Sequence, residues 1–214
     1  MSRRAINSAG IAIIKKWESW RSKAYIDDVG VWTIGWGHTS AAGAPRVRSG
    51  LTISRAEGER ILRNDLGQYE EGVLKGIGYD TPCTDNQFAA MVSLCYNIGA
   101  GAFRGSSVAR HMRNGSPGVA ASKFGLWKKG GGKVLRGLVR RRADEARLFR
   151  TADGKRIPPS VQDIATTGAG TSGGVAIVAE GVRDGWLNPG AGIALIIALA
   201  IGAGAVLYFR SRKT

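Results

Sequence analysis

Between residues 17 and 39 the chain changes its periodicity abruptly, in WESWRSKAYIDDVGVWTIGWGHT. Upstream, Ile11, Ile14 and Trp17, with Ala12 and Ile13, fall largely on one side of a helix that Asn7 or Ser8 can cap and Glu18 closes. From Tyr25 to His38 the residues become β-branched and aromatic, broken by Asp27-Asp28-Val29-Gly30. That pattern predicts a hairpin, with Gly30 free to adopt positive φ. Helical spacing then resumes and continues to about residue 149. One strand-rich stretch set among helices predicts an α+β fold, mostly helical, with a small β-hairpin lobe.

The later helices announce their own ends. Ser54-Arg-Ala-Glu57 reads as a capping box opening a helix through Ile61, Leu62, Leu66 and Tyr69, extending toward Leu74, with Gly76, Gly78, Thr81 and Pro82 ending it. Thr84-Asp-Asn-Gln87 reads as a second box. The helix it opens carries Phe88, Met91, Val92 and Cys95 at helical spacing and stops near Gly99-Ala-Gly101. Further helices are predicted at 106–114, 117–127 and 137–149. Cys83 and Cys95 are the two cysteines. Placed about three turns apart, they lie beyond the reach of a disulfide and are expected to be free thiols.

After Thr151 the composition shifts. Residues 152–188 contain Pro158-Pro159 and TTGAGTSGG, a flexible-linker composition. Residues 189–209, PGAGIALIIALAIGAGAVLYF, hold no charge. As a helix they span about 31 Å, close to the thickness of a bilayer core. The expected organisation is therefore a catalytic-sized domain over 1–151, a linker over 152–188, a transmembrane helix over 189–209 and a basic tail over 210–214. Gly190, Ala194, Ala198 and Gly202 form a small-residue stripe that would permit weak self-association of the span. No secretory signal is predicted at the N-terminus. The RSRKT tail favours a cytoplasmic C-terminus. That orientation puts the main domain on the periplasmic side of a bacterial inner membrane; insertion after synthesis would instead leave it in the host cytoplasm.

Lys and Arg outnumber Asp and Glu by 31 to 16, for a net charge of +15. Such a surface suits a polyanion: nucleic acid, anionic lipid or bacterial cell wall. No zinc-finger spacing, RNP-like strand or basic region leading into heptads is present, so no specific nucleic-acid partner is expected. His38 and His111 lack ligand partners at useful spacing, so no metal or other cofactor is expected.

The switch region also carries the chemistry. Glycoside hydrolysis commonly uses one carboxyl as acid to the leaving oxygen and a second carboxylate to activate water or stabilise positive charge on the sugar. Glu18, between Trp17 and Trp20, is the candidate acid, and Asp27 in the turn is the candidate carboxylate. Thr33, on a strand, can hold a water through its hydroxyl. Asp28 is the neighbouring rival to Asp27. Each also has a plain structural reading: a helix-end Glu, a turn Asp, a strand Thr.

Glu-x8-Asp-x5-Thr followed by Ile-Gly-Trp-Gly-His38 resembles the active-site signature of the phage-type lysozymes, the endolysins of glycoside hydrolase family 24. The likeness continues in DNQFAAMVSLCYNIGAGAFRGSSVARHMRNG and in FGLWKKGGGKVLRGLVRRRADEARLF, covering residues from about 6 to 150. The resemblance implies a two-lobed lysozyme-like domain with a cleft. It also implies hydrolysis of the β-1,4 bond between N-acetylmuramic acid and N-acetylglucosamine in bacterial peptidoglycan, for host cell lysis or wall remodelling. Glu18 would be the acid, Asp27 the second carboxylate and Thr33 the water-positioning hydroxyl. Among Arg140, Arg141 and Arg142, helix register and the family pattern favour Arg141 as the partner that orients Glu18. His38 reads as a structural residue of the motif. The C-terminal span departs from the family pattern. Two other readings remain at this point: a lytic transglycosylase, and a non-catalytic, membrane-anchored wall-binding protein.

Overall fold

The computed structural model describes residues 4–154. Most of the expected linker over 152–188, the span over 189–209 and the tail over 210–214 lie outside the described residues. Among the described residues no helix is long and apolar enough to cross a membrane.

The chain opens with α1 (Ser8–Trp17), capped by Asn7, whose side chain accepts from Gly10 N. It then forms an antiparallel three-stranded sheet of β1 (Arg21–Ile26), β2 (Trp32–Gly35) and β3 (His38–Thr39), in that order. Tyr25 pairs with Thr33 and Ile26 with Trp32, and a bulge interrupts the register before Tyr25. The turn between β1 and β2 closes through Asp27 N to Val31 O at 3.0 Å and Gly30 N to Asp27 O at 3.0 Å. Gly30 takes φ of 85°, which its lack of Cβ makes cheap. The strand begins earlier than its apolar pattern: Arg21 pairs with Gly35 of β2, and a remote segment supplies partners for the residues after it. Ala24 N donates to Leu51 O and Ile53 N to Ser22 O, both at 2.9 Å. A small core of Ile34, Val47, Ile53 and Ile61, flanked by Trp20, Ala24, Trp32 and Leu51, holds this lobe together.

Six further α-helices follow α1 among the described residues. α2 (Arg55–Ile77) packs against the sheet and also against α3 (Asp85–Ile98), α4 (Ala100–Gly105) and α5 (Ser107–Arg113), so one element joins the hairpin lobe to the helical one. α6 (Pro117–Lys123) and a 3-10 turn (Phe124–Leu126) follow, then a two-stranded hairpin of β4 (Lys129–Gly130) and β5 (Lys133–Val134), and finally α7 (Arg136–Arg150). α3 is buried at every position from Phe88 to Cys95, and α1, α2 and α7 pack around it. A helix apolar on all sides belongs in the centre of a bundle. Thr84 and Gln87 close both arms of their box, at 3.0 and 3.1 Å. At Ser54 the hydroxyl accepts from Glu57 N at 3.2 Å, the first arm of the expected box.

Three boundaries differ from the sequence expectation. Gly76 lies inside α2, not at its end, because a Cβ there would come within 2.9 Å of the Phe103 ring; it is a contact glycine. Gly78, at φ of 91°, is the one that ends the helix. α3 stops at Ile98, beside Gly99 as expected, but α4 starts immediately beyond it, over Ala100–Gly105, where no helix is predicted. The helix expected over 117–127 tightens into 3-10 geometry at Phe124. Both cysteines are free thiols, as the spacing required.

Two outcomes follow from this packing. A Cβ on Gly58 would fall 2.2 Å from the Trp20 ring. Alanine gains about 1 kcal/mol of helix propensity over glycine, but displacing the indole costs about 1–3 kcal/mol. Gly58→Ala is therefore expected to lower the denaturation midpoint; a raised midpoint would show that Trp20 is loosely held.

Burial pushes the Cys95 thiol up from 9.0 to about 12. A raised pKa favours folding below the unfolded value and loses that contribution as pH rises toward the folded one. The component is intact below pH 9 and fades between 9 and about 12. In all it is on the order of a few kcal/mol. Denaturant midpoints measured from pH 8 to 11 should fall less steeply for Cys95→Ala than for the parent; identical slopes would refute it.

Candidate active site

Glu18 is the residue at which α1 ends. Its backbone is extended, and its N–H still reaches Ile14 O at 2.9 Å, so the side chain projects from the helix terminus. The end of α1 is fixed on α7 by two neighbours: Trp17 Nε1 donates to Asp144 Oδ2 at 3.0 Å, and Lys16 pairs with the same oxygen at 3.1 Å. Trp20 packs against Trp36 at a tilt of 48°, with ring centroids 4.4 Å apart. The two indoles that flank Glu18 in sequence are thus engaged elsewhere. The group on its carboxylate is the Arg141 guanidinium, whose Nη1 donates to Oε1 at 2.6 Å.

Asp27 is oriented by its own turn. Its Oδ1 accepts from Val29 N at 3.0 Å and Val31 N at 2.8 Å, which leaves Oδ2 facing the Thr33 hydroxyl 3.5 Å away. Thr33 is buried on β2, and its Oγ1 donates to Val31 O at the shorter distance of 3.1 Å. One hydroxyl carries one proton. With that proton on Val31 O, the lone pairs of Thr33 Oγ1 and of Asp27 Oδ2 face the same space as two acceptors. Asp28, the rival carboxylate, is exposed and follows Asp27 into the turn.

His38 is buried between Asp65, at 2.8 Å from Nδ1, and Pro45 O, at 2.9 Å from Nε2. A carbonyl only accepts, so Nε2 carries a hydrogen. Burial raises the Asp65 carboxyl, against the hydrogen bond and charge of His38. This pair ties β3 to α2 and to the loop at Pro45, so His38 supports the lobe rather than touching Glu18, Asp27 or Thr33. Tyr96 OH donates to Trp36 O at 2.6 Å and joins α3 to the same lobe. Its ring lies 4.8 Å from that of Tyr69. Burial pushes both phenols up, and the nearby Glu18 carboxylate adds to the effect in each.

The largest surprise is Arg142. As one of three successive arginines it could equally lie on a solvated basic face or at the site, and it is 1% exposed. It donates to Glu145 Oε1 at 2.8 Å and to Asn97 Oδ1 at 3.0 Å. Glu145 is fully buried, and the same oxygen also accepts from Ser93 Oγ at 2.8 Å and Arg141 Nε at 3.2 Å. Burial raises the Glu145 carboxyl, while Arg142, Arg141 and Ser93 pull it down. The sequence signal for this cluster was present: Glu145 lies three and four residues after the two arginines, on their side of a helix. Arg140 remains exposed. Gln87, by contrast, serves only to close the α3 box. Among the described residues no group of three or more His, Cys, Asp or Glu could hold a metal ion.

Comparison with known proteins points the same way. Residues 15–145 match the family model for Phage lysozyme. The chain is similar to the endolysin of Bacillus phage PZA, 40% identical over 154 residues that cover 71% of this chain and 57% of that protein. It is also similar to the endolysin of Salmonella phage P22, 39% identical over 141 residues, covering 66% of this chain and 95% of that one. The chain thus spans little more than half the length of the Bacillus phage relative. Among solved structures, the muramidase domain of SpmX from Asticaccaulis excentricus superposes with a TM-score of 0.62 at 38% identity, covering 70% of this chain and 99% of that domain.

Proposed function

This chain belongs to the phage lysozyme family, and from that premise we propose that it hydrolyses the β-1,4 bond between N-acetylmuramic acid and N-acetylglucosamine in bacterial peptidoglycan. The observation that carries the reading is the Glu18 carboxyl held by Arg141 at a helix end, with Asp27 and Thr33 presented by the hairpin that follows directly. Glu18, in its protonated form, gives its proton to the glycosidic oxygen as the bond to the anomeric carbon breaks. One water donates a hydrogen to Asp27 Oδ2 and the other to Thr33 Oγ1. A lone pair of the water oxygen then attacks the anomeric carbon. The water oxygen bonds to the sugar, Asp27 takes the released proton, and configuration inverts. A neutral cell-wall saccharide is unaffected by the +15 net charge, but the anionic wall as a whole is attracted by it.

The product tests the reading. Muropeptides released from purified walls should carry a free reducing end; products lighter by one water would be 1,6-anhydro sugars and would replace hydrolysis by transglycosylation.

The uncharged run over 189–209 supports a further part of the proposal, that this run anchors the enzyme in the bacterial inner membrane through the linker over 152–188. The basic tail supports a periplasmic catalytic domain. Recovery of the protein wholly in the soluble fraction of gently broken cells would remove the anchor.

A further inference from the structure

Arg141 can fix Glu18 only if its own guanidinium is fixed. A free guanidinium turns two N–H groups toward a carboxylate and engages both oxygens. Here Arg141 Nε is committed to Glu145 Oε1 at 3.2 Å and Nη2 to Ser93 O at 3.4 Å, so Glu18 is met by Nη1 at Oε1. Among the described residues, Glu18 Oε2 takes no hydrogen bond from the protein. We propose that Glu145 is a positioning residue for Glu18: by holding Arg141 through Nε, it keeps the acid anchored at one oxygen and leaves the other to carry the transferable proton. The proposal rests on Glu18 being the general acid.

Glu145 also sets the local charge. The groups whose charge or polarity bears on Glu18 are Arg141 and Arg142 from α7, Tyr96 from α3 and Tyr69 from α2. Asp144, also on α7, is engaged by Lys16, Trp17 and Arg147. Around Glu145 stand Arg141, Arg142 and Ser93. Two positive charges are therefore balanced by one buried negative charge. Without that balance, two uncompensated guanidinium charges would stand beside the acid, and activity would be lost at lower pH.

The test compares the full-length chain with Glu145→Gln, following muropeptide release from purified walls between pH 4 and 9. The variant should lose about tenfold to a hundredfold in kcat, with KM within about twofold. The alkaline limb of its activity should move down by about one pH unit. A lower melting temperature with kcat and the limb unchanged would assign Glu145 a structural role only and overturn the proposal. Should Glu145→Gln not fold, Glu145→Asp keeps the charge but withdraws it by one methylene. It should lower kcat while leaving the limb in place; parental kcat would overturn the proposal. Carboxyl 13C NMR titration of Glu18 reads the same electrostatic effect without substrate. If the parent cleaves no wall but the titration still moves between parent and variant, the muramidase reading fails and the positioning role stands. An unmoved titration overturns the positioning role itself.

Discussion

Glu18→Gln is expected to lower the rate of muropeptide release by about 10³-fold, the size of a general-acid contribution, while the fold survives. The amide keeps the shape of the side chain and still offers an oxygen to Arg141 Nη1. It has no proton acidic enough to follow the departing glycosidic oxygen. Arg141 also retains Glu145 and the Ser93 carbonyl when Glu18 loses its charge, so no buried guanidinium is left without a partner. Stability and activity should therefore separate: a melting temperature near that of the parent, and a collapsed kcat. The measurement is initial rate on purified walls beside a thermal melt of the same sample. Activity within about tenfold of the parent would place the acid elsewhere.

That separation depends on geometry only partly legible in the sequence. The helix end at Glu18, the turn glycine at 30 and the double-armed box at Thr84 could all be read from residues within a few positions of each other, because local backbone chemistry decides them. Ser22 and Lys23 could not be read as strand, since their partners, Ile53 and Thr52, are about thirty positions away and carry no pattern of their own. Gly76 misleads for the same reason: the Phe103 ring that requires a small residue there belongs to another helix. In the site, Asp27 and Thr33 share one hairpin, so their proximity follows once the hairpin is recognised. The Glu18–Arg141 pair joins residues 123 apart in sequence, and what suggested it was family resemblance and helix register. Neither revealed that Arg142 is buried with Glu145. A run of three arginines looks alike in sequence whether its side chains face water or a carboxylate.

The second large effect is expected at Asp27. Asp27→Asn should cost about 10²–10⁴ in kcat, the range for loss of a general base. The structure makes the substitution clean. The amide oxygen can still accept from Val29 N and Val31 N, the two bonds that orient the side chain and shape the turn. The atom that changes is the one facing Thr33 at 3.5 Å. As an NH2 group it donates where a carboxylate would accept, so it cannot take a proton from water. Thr33→Val removes the other acceptor while filling the same buried volume on β2. It should cost less, about tenfold, because the hydroxyl orients water without receiving its proton. If both groups hold one water, the double variant should lose much less than the product of the two single losses, since the second substitution damages a site already broken. A full cycle of the four proteins on purified walls reads this coupling directly. Strictly multiplicative losses would mean that Asp27 and Thr33 act on separate steps, and Asp27 would then be an electrostatic partner of the sugar cation rather than the base that activates water.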